Sequence, residues 1–480
     1  MNEIFIQAAN RVNNPAIEEW KAQGKKVIGL VCSHVPEEVI TAAGMFSYRL
    51  RGIETDSTSI GDTYFGPFIC SCPKAILENA GRGRYNFLDG AIMVQACDSM
   101  RRLDECWRKA GEDYANIVPS FFHYMGVPHK VTDYAIAWFA QEIEKFALAL
   151  TEHFGAPSIT PDSLAAAISL HNESRRLLMD LEALRNAGDP PLSGEEAMTI
   201  ILAGTAMPKS VYNPMLAETI RQLSGKSAGH AGKKRILLAG SVVDDLGMFR
   251  AIEAEGAIVV ADTVCFGSRA YDGLVAEDDP SYTTLARRYL NEQFCPRMFG
   301  YYEKRLEVLK QKIETAKIDG VILQNIRFCD LHGSENGLFE RDLEALGIPC
   351  IRVEREYGPL GDEGRVRMRV SAFLERLSCP PPPGTGVLKR GFSTGRPPPA
   401  AREVIRHARS IEGIQLRLEP VEPVLRSVQD GRRHTKGVRP DARTHPEFSG
   451  RHRAGHGHGR ARAALPERHG QVPGGGGHGP

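Results

Sequence analysis

The sequence predicts an α/β protein: two similar doubly wound parallel-sheet domains, a helical segment between them and a disordered C-terminal tail. Three observations predict it. Short apolar runs suited to buried parallel strands lead directly into helix-start signals. One such pattern occurs twice: Asp89-Gly90, an apolar run and Cys97-Asp98 parallel Asp319-Gly320, an apolar run and Cys329-Asp330. Beyond Leu377 the composition changes, beginning with the proline run Pro380–Pro383. The expected divisions are 1–130, a first α/β domain; 131–228, helical; 229–378, a second α/β domain; and 379–480, the tail.

The elements follow in order. Val27–Cys32 is a short apolar run, read as a strand. The helix after it starts near Ser33 or His34, with Pro36 at its first position, two carboxylates in its first turn and Gly44 to stop it. Ala91–Val94 is a second strand, and Asp98 or Ser99 can cap the helix that begins near Met100. Thr132–Phe154 carries apolar residues at helical spacing and stops at Gly155; Thr160-Pro161-Asp162 and Ser193-Gly194-Glu195-Glu196 open two more helices. Strand and helix alternate again at Lys233–Gly240, Gly247–Glu255 and Ala257–Asp262. A strand within 318–330 runs into a polar loop, Ile351–Val353 is a last short strand, and Val370–Leu377 a last helix.

Charge separates body from tail. Residues 380–480 hold 18 Lys and Arg against 8 Asp and Glu, which leaves the rest of the chain at −9. An acidic body argues against a nucleic-acid groove. The tail, with 14 of the 30 prolines and runs such as Gly455-His456-Gly457-His458, lacks the apolar periodicity of a folded segment and reads as a shifted reading frame. Neither a secretory signal nor an apolar run long enough to span a bilayer is visible. A cytoplasmic protein without disulfides is expected, so the ten cysteines are free for other chemistry.

Iron–sulfur clusters need soft thiolate donors, commonly from loops at strand ends. Cys97 and Cys329 each follow an apolar run and precede an aspartate, at the strand ends where parallel sheets assemble sites. A helix starting at Asp98 or Ser99 would set its positive end beside Cys97 and favour thiolate. Cys70 lies in a loop before another helix, in Cys70-Ser71-Cys72-Pro73. Spacing alone matches no simple metal motif and leaves buried structural thiols as the competing reading. Glu38 reads as an acid or base, or as a helix-dipole carboxylate; Ser33 as a hydrogen-bond donor to substrate, or as a cap. Arg269 reads as a phosphate contact or a surface ion pair. Cys32, Cys106, Cys295 and Cys350 read as structural thiols, and His34 and His332 as non-ligands.

Residues from about 20 to 378 resemble the 2-hydroxyacyl-CoA dehydratase and benzoyl-CoA reductase family. The segments that carry the resemblance are Val27–Glu38 with Ala42-Ala43-Gly44; Cys70-Ser71; Arg84–Gly90; Cys97–Arg102; and Phe328-Cys329-Asp330. The resemblance implies a 4Fe–4S cluster held by three cysteines, here Cys70, Cys97 and Cys329, with Cys72 as the alternative to Cys70 and the fourth iron open. It implies radical elimination of water from a 2-hydroxyacyl-CoA thioester through a ketyl, or reductive dearomatisation of benzoyl-CoA, or an electron-relay role beside a catalytic mate. Its implied partners are an acyl-CoA thioester, a homologous second subunit and a separate ATP-hydrolysing iron–sulfur activator, with no nucleic acid and no membrane.

Overall fold

The computed structural model describes residues 2–358 and 363–378, so the tail reading for 379–480 lies outside the described residues. Eight strands form two four-stranded sheets, all parallel. The first contains β1 (Val27–Leu30), β2 (Phe46–Arg49), β3 (Gly90–Val94) and β4 (Phe121–Met125), in the order β2-β1-β3-β4. The second contains β5 (Lys234–Gly240), β6 (Ala257–Thr263), β7 (Gly320–Ile326) and β8 (Cys350–Arg355), in the order β6-β5-β7-β8. Strand by strand the two orders are the same.

The central strands are buried on both faces because helices cover both sides, which is why β1, β3, β5 and β7 read as apolar runs. Two acids lock the central pairings. Asp89, just before β3, accepts from the Val27 amide at 3.0 Å; Asp319, just before β7, accepts from the Arg235 amide at 2.7 Å. The twice-occurring Asp-Gly pattern thus has one structural meaning: each acid holds the start of the neighbouring strand, and each glycine starts its own.

Long helices Asp133–Phe154 and Pro161–Arg185 lie between the sheets in sequence, followed by Gly194–Ala203 and Lys209–Leu223. Gly155, at φ 60°, ends the first of these as a left-handed cap, and Thr160 with Ser163 forms a capping box on the second. Helix Pro161–Arg185 clasps both halves. Its Arg175 pairs with Glu38 at 2.6 Å, and its Arg185 pairs with Asp262 of β6 at 2.9 Å, all four side chains being buried.

The structure corrects several sequence expectations. β2 and β4 carry no apolar run: Phe46-Ser47-Tyr48-Arg49 alternates, and Phe121–Met125 is a partly exposed edge strand. Pro36 is the cap of helix Glu37–Ala42 and not its first residue. The last helix begins at Glu363, a turn and more before Val370, because Arg365, Arg367 and Arg369 face outward and mask its apolar stripe of Val366, Val370 and Phe373. Among the described residues, no helix is long and apolar enough to cross a membrane.

Candidate functional site

In a doubly wound sheet, the first connections leave neighbouring central strands towards opposite sides, and a crevice opens at their carboxyl ends. Here the two crevices share one cavity of about 110 Å³. From the first sheet, Cys32 follows β1 and Cys97 stands three residues beyond β3; from the second, Ser241 follows β5 and Cys329 stands three residues beyond β7. Gly240, at φ 122°, lets β5 pass so close to β7 that a Cβ there would meet the Gln324 carbonyl oxygen.

Cys70, Cys97 and Cys329 all line this cavity, and each is the N-cap of a helix: Ser71–Gly81, Asp98–Asp113 and Asp330–Ala345. The expected caps Asp98 and Ser99 lie inside their helix instead. Three positive helix ends therefore converge where three thiols converge, an arrangement that favours anionic sulfur. None of the sulfurs closes a cap hydrogen bond, yet the amides of Cys72, Met100 and His332 bias them towards thiolate. Burial works the other way and wins: it pushes the Cys70 and Cys97 thiols up and Cys329 up to about 12. Cys97 and Cys329 also rise on feeling charge at another of the three. Without a bound cation these thiols stay protonated at neutral pH, and metal binding must release their protons.

Phe328 sets the aim of Cys329. Its φ of 63° is left-handed, a conformation costing about 1–2 kcal/mol for a residue with a Cβ. Its ring stacks edge-on against Phe68 at 5.7 Å, so the loops bearing Cys70 and Cys329 touch outside the cavity.

Seven of the nine described cysteines line the cavity, including Cys32, Cys72, Cys265 and Cys295. Plain buried thiols would be scattered through the cores, as Cys106 and Cys350 are, so the convergence points to a thiol-requiring site. Cys32 and Cys295, read from sequence as structural, belong to its wall. Arg269 is not at the surface: it is buried, donates to the Gly240 carbonyl at 2.9 Å and stands 3.4 Å from His332. Arg49, Arg269 and Arg297 line the same cavity, and among the described residues no carboxylate does. The Nε atoms of these three arginines and Nδ1 of His332 have no hydrogen-bond partner among the described residues. A wall of guanidinium groups, thiols and apolar side chains fits an anionic thiolate-bound metal cluster. Among the described residues no three His, Cys, Asp or Glu side chains meet closely enough to grip a single ion. A cluster spreads its irons over several sites, and its thiolates need not meet at one point.

Ser33 and Glu38 are placed differently. Ser33 accepts from Arg49 at 2.5 Å and stands 3.7 Å from the Cys265 sulfur, directly behind the wall. Arg49 also donates to that sulfur at 3.1 Å. Burial would raise the Cys265 thiol, but Arg49 and Arg269 outweigh it and bring it below its ordinary value. Glu38 does not line the cavity. It is buried between Arg175 and the Tyr289 hydroxyl, which donates to it at 2.8 Å. Burial would raise its carboxyl, yet the charges of Arg175, His171 and Arg288 prevail and hold it down to about 2.

A larger cleft of about 550 Å³ runs beside β8 but shares no lining residue with the thiol cavity. Its Arg352 pairs with Glu340, and its Arg369 and Arg376 donate to strand carbonyls.

Several curated proteins are similar to this chain in sequence. The (R)-phenyllactyl-CoA dehydratase beta subunit of Clostridium sporogenes is 25% identical over 379 residues, covering 78% of this chain and 99% of that one. A benzoyl-CoA reductase subunit of Thauera aromatica is 25% identical over 323 residues, covering 66% and 82%. The (R)-2-hydroxyglutaryl-CoA dehydratase subunit beta of Acidaminococcus fermentans is 24% identical over 365 residues, covering 75% and 95%. The match to the 2-hydroxyglutaryl-CoA dehydratase, D-component, spans residues 32–377, which hold seven of the eight described strands and all three helix-capping cysteines, and by it the chain belongs to that enzyme family.

Proposed function

We propose that this chain is the iron–sulfur subunit of an ATP-activated 2-hydroxyacyl-CoA dehydratase, with a 4Fe–4S cluster held by Cys70, Cys97 and Cys329. One observation carries the reading: three helix-capping thiols, drawn from both sheets, face a single carboxylate-free cavity at the strand ends. When bound, the cluster would supply single low-potential electrons for a thioester whose departing β-hydrogen is not acidic.

The chain's own residues do the rest. Helix N-termini and the guanidinium groups of Arg49, Arg269 and Arg297 favour negative charge in the cavity. Apolar walls such as Leu50, Ile76 and Ile326 keep water out and strengthen every charge interaction inside. Ser33, anchored by Arg49 behind the Cys265 part of the wall, is the proposed hydrogen-bond donor to substrate. Glu38 acts by position: its pairing with Arg175 fixes the helix that follows β1. The working unit comprises the sheet domains 1–130 and 229–378 joined by 131–228, a homologous second subunit, an ATP-hydrolysing activator and an acyl-CoA substrate, in the cytoplasm.

Benzoyl-CoA reduction is the second reading, favoured by a reductase subunit as similar to this chain, at 25% identity, as the phenyllactyl-CoA dehydratase subunit. Anaerobic purification of the complex should give a brown protein with about four irons and four sulfides per chain. Offered 2-hydroxyacyl and benzoyl thioesters with activator and ATP, it should dehydrate the former. Turnover of benzoyl-CoA alone would replace the first reading by the second, and a colourless, iron-free chain would sink both.

A further inference from the structure

The connection between helices Tyr282–Asn291 and Tyr302–Thr315 carries Cys295 into the wall of the thiol cavity, and two buried arginines hold it there. Arg297 donates to the carbonyls of Gln95 at 2.8 Å, Val127 at 2.9 Å and Pro128 at 2.9 Å. These carbonyls lie just past β3 and β4, and Gln95 is two residues from Cys97. Arg305 donates to the Cys295 carbonyl at 3.2 Å and pairs, Nε to Oε1 at 2.8 Å, with Glu335 on the helix that Cys329 caps. One anchor thus ties the Cys295 backbone to the strand end bearing Cys97, and the other ties it to the helix bearing Cys329. Spare length in this connection has been converted into a fixed position between two proposed ligands.

The electrostatics agree with that placement. Charge at Cys295 is felt by both Cys97 and Cys329. Burial raises the Cys295 thiol, and the Arg269 charge and the Arg297 amide work against it, as amides do for the three helix-capping thiols. The other wall thiols are otherwise engaged. Cys265 takes the Arg49 guanidinium, Cys32 stands 3.4 Å from His34 Nδ1, and Cys72 shares the first helical turn that Cys70 caps.

We infer that Cys295 supplies the fourth thiolate to the cluster held by Cys70, Cys97 and Cys329, closing the iron position that three cysteines alone would leave open. The inference rests on the iron–sulfur reading above. In forming the bond, the Cys295 thiol gives its proton to solvent and its sulfur binds iron, displacing the water or hydroxide there; no electron is transferred. Such a subunit passes electrons to its mate and does not bind substrate at iron.

The test uses the full chain, reconstituted anaerobically with ferrous iron and sulfide, as wild type, Cys295→Ala, Cys295→Ser, Cys72→Ser and Cys97→Ser. After mild ferricyanide oxidation, iron per chain and the electron paramagnetic resonance signal of the 3Fe–4S form are measured. Wild type and Cys72→Ser should keep about four irons, with under about a tenth of chains in the 3Fe–4S form. Cys295→Ala should fall to about three irons with most chains in that form. If the alanine variant does not fold, Cys295→Ser is read by its resonance signal, since a serine oxygen can keep the fourth iron but alters the cluster's spectrum, and an unchanged spectrum there overturns the inference. Wild type losing an iron as readily as Cys295→Ala, or Cys72→Ser losing it instead, overturns the inference while leaving the cluster in place. Full iron in Cys97→Ser overturns the cluster assignment itself.

Discussion

The two sheets are built to one plan yet contribute unequally to the site. Both have the same strand order, both use an aspartate before the third strand to fix the first, and both set a cysteine three residues beyond the third strand. They part company at the second strand. After β2, a long connection carries two helices and delivers Cys70 at the second helix's start. After β6, the chain delivers Cys265, Arg269 and finally Cys295. The common plan therefore places Cys97 and Cys329, with Cys32 and Ser241 at the neighbouring strand ends, whereas connections of unrelated length place Cys70, Cys265, Arg269 and Cys295. A thiol at a strand end comes with the fold, and a thiol on a long connection must be anchored separately, as Arg297 anchors the Cys295 loop.

The comparison can be broken most sharply at the paired ligands. Cys97→Ser and Cys329→Ser, one from each sheet, should each lose most of the bound iron and sulfide, while Cys106→Ser should lose none. Colorimetric iron and sulfide per chain decides it, and a loss in only one of the pair would show that the two halves do not share a cluster.

Next in size come the two buried ion pairs on helix Pro161–Arg185. Glu38→Gln should loosen the first half and Asp262→Asn the second, each by about 3–5 kcal/mol, because a buried arginine loses its partner. Urea unfolding at neutral pH measures both. The Glu38 carboxyl lies near 2 when folded against about 4.3 unfolded, so its contribution is complete above the unfolded value and fades as the pH falls towards 2. The gap between wild type and Glu38→Gln should therefore narrow between about pH 4.5 and 2. A gap that stays constant over that range would mean the pair does not hold the carboxyl down.

The smallest expected effect concerns the strand-fixing acids. Asp89→Asn and Asp319→Asn should each cost about 1–3 kcal/mol, the price of a charged acceptor on one strand amide. Asp89 should cost more, since it also pairs with Lys21 and Lys26, although both lysines are part-exposed and add little. Equal melting temperatures for the two variants and the wild type would remove this element from the common plan.

Much of this architecture was legible in the residues. Fully buried strands announce themselves as apolar runs, so β1, β3, β5, β6 and β7 could be read directly, as could the long capped helices. β2 and β4 could not, because Ser47, Arg49 and His123 break the apolar pattern of these two edge strands. The same limit governs the site. Cys70, Cys97 and Cys329 were singled out by strand-end position and resemblance, and the structure gathers them in one cavity. Cys32 carried the same strand-end signal and was still read as structural, whereas Cys295 carried none: what brings it there is a set of arginine-to-carbonyl bonds reaching 169 and 202 residues along the chain. Arg269 was misread for a related reason, since its buried partner is a carbonyl and not a carboxylate.

The division of the proposed ligands between the two sheets has a consequence for how the protein is made. Cys70 and Cys97 leave the ribosome well before Cys329, and at about 5–20 residues per second the gap from Cys97 lasts roughly 12 to 46 seconds. During that interval a folded first half presents two thiols without their third companion. A cluster inserted then would have nowhere stable to sit, and a stray divalent ion or an oxidant would find a thiol pair unguarded. On the proposed ligand assignment, assembly of the centre is an event of the finished chain, after the second sheet closes the cavity, and its yield depends on keeping the nascent thiols reduced until that moment.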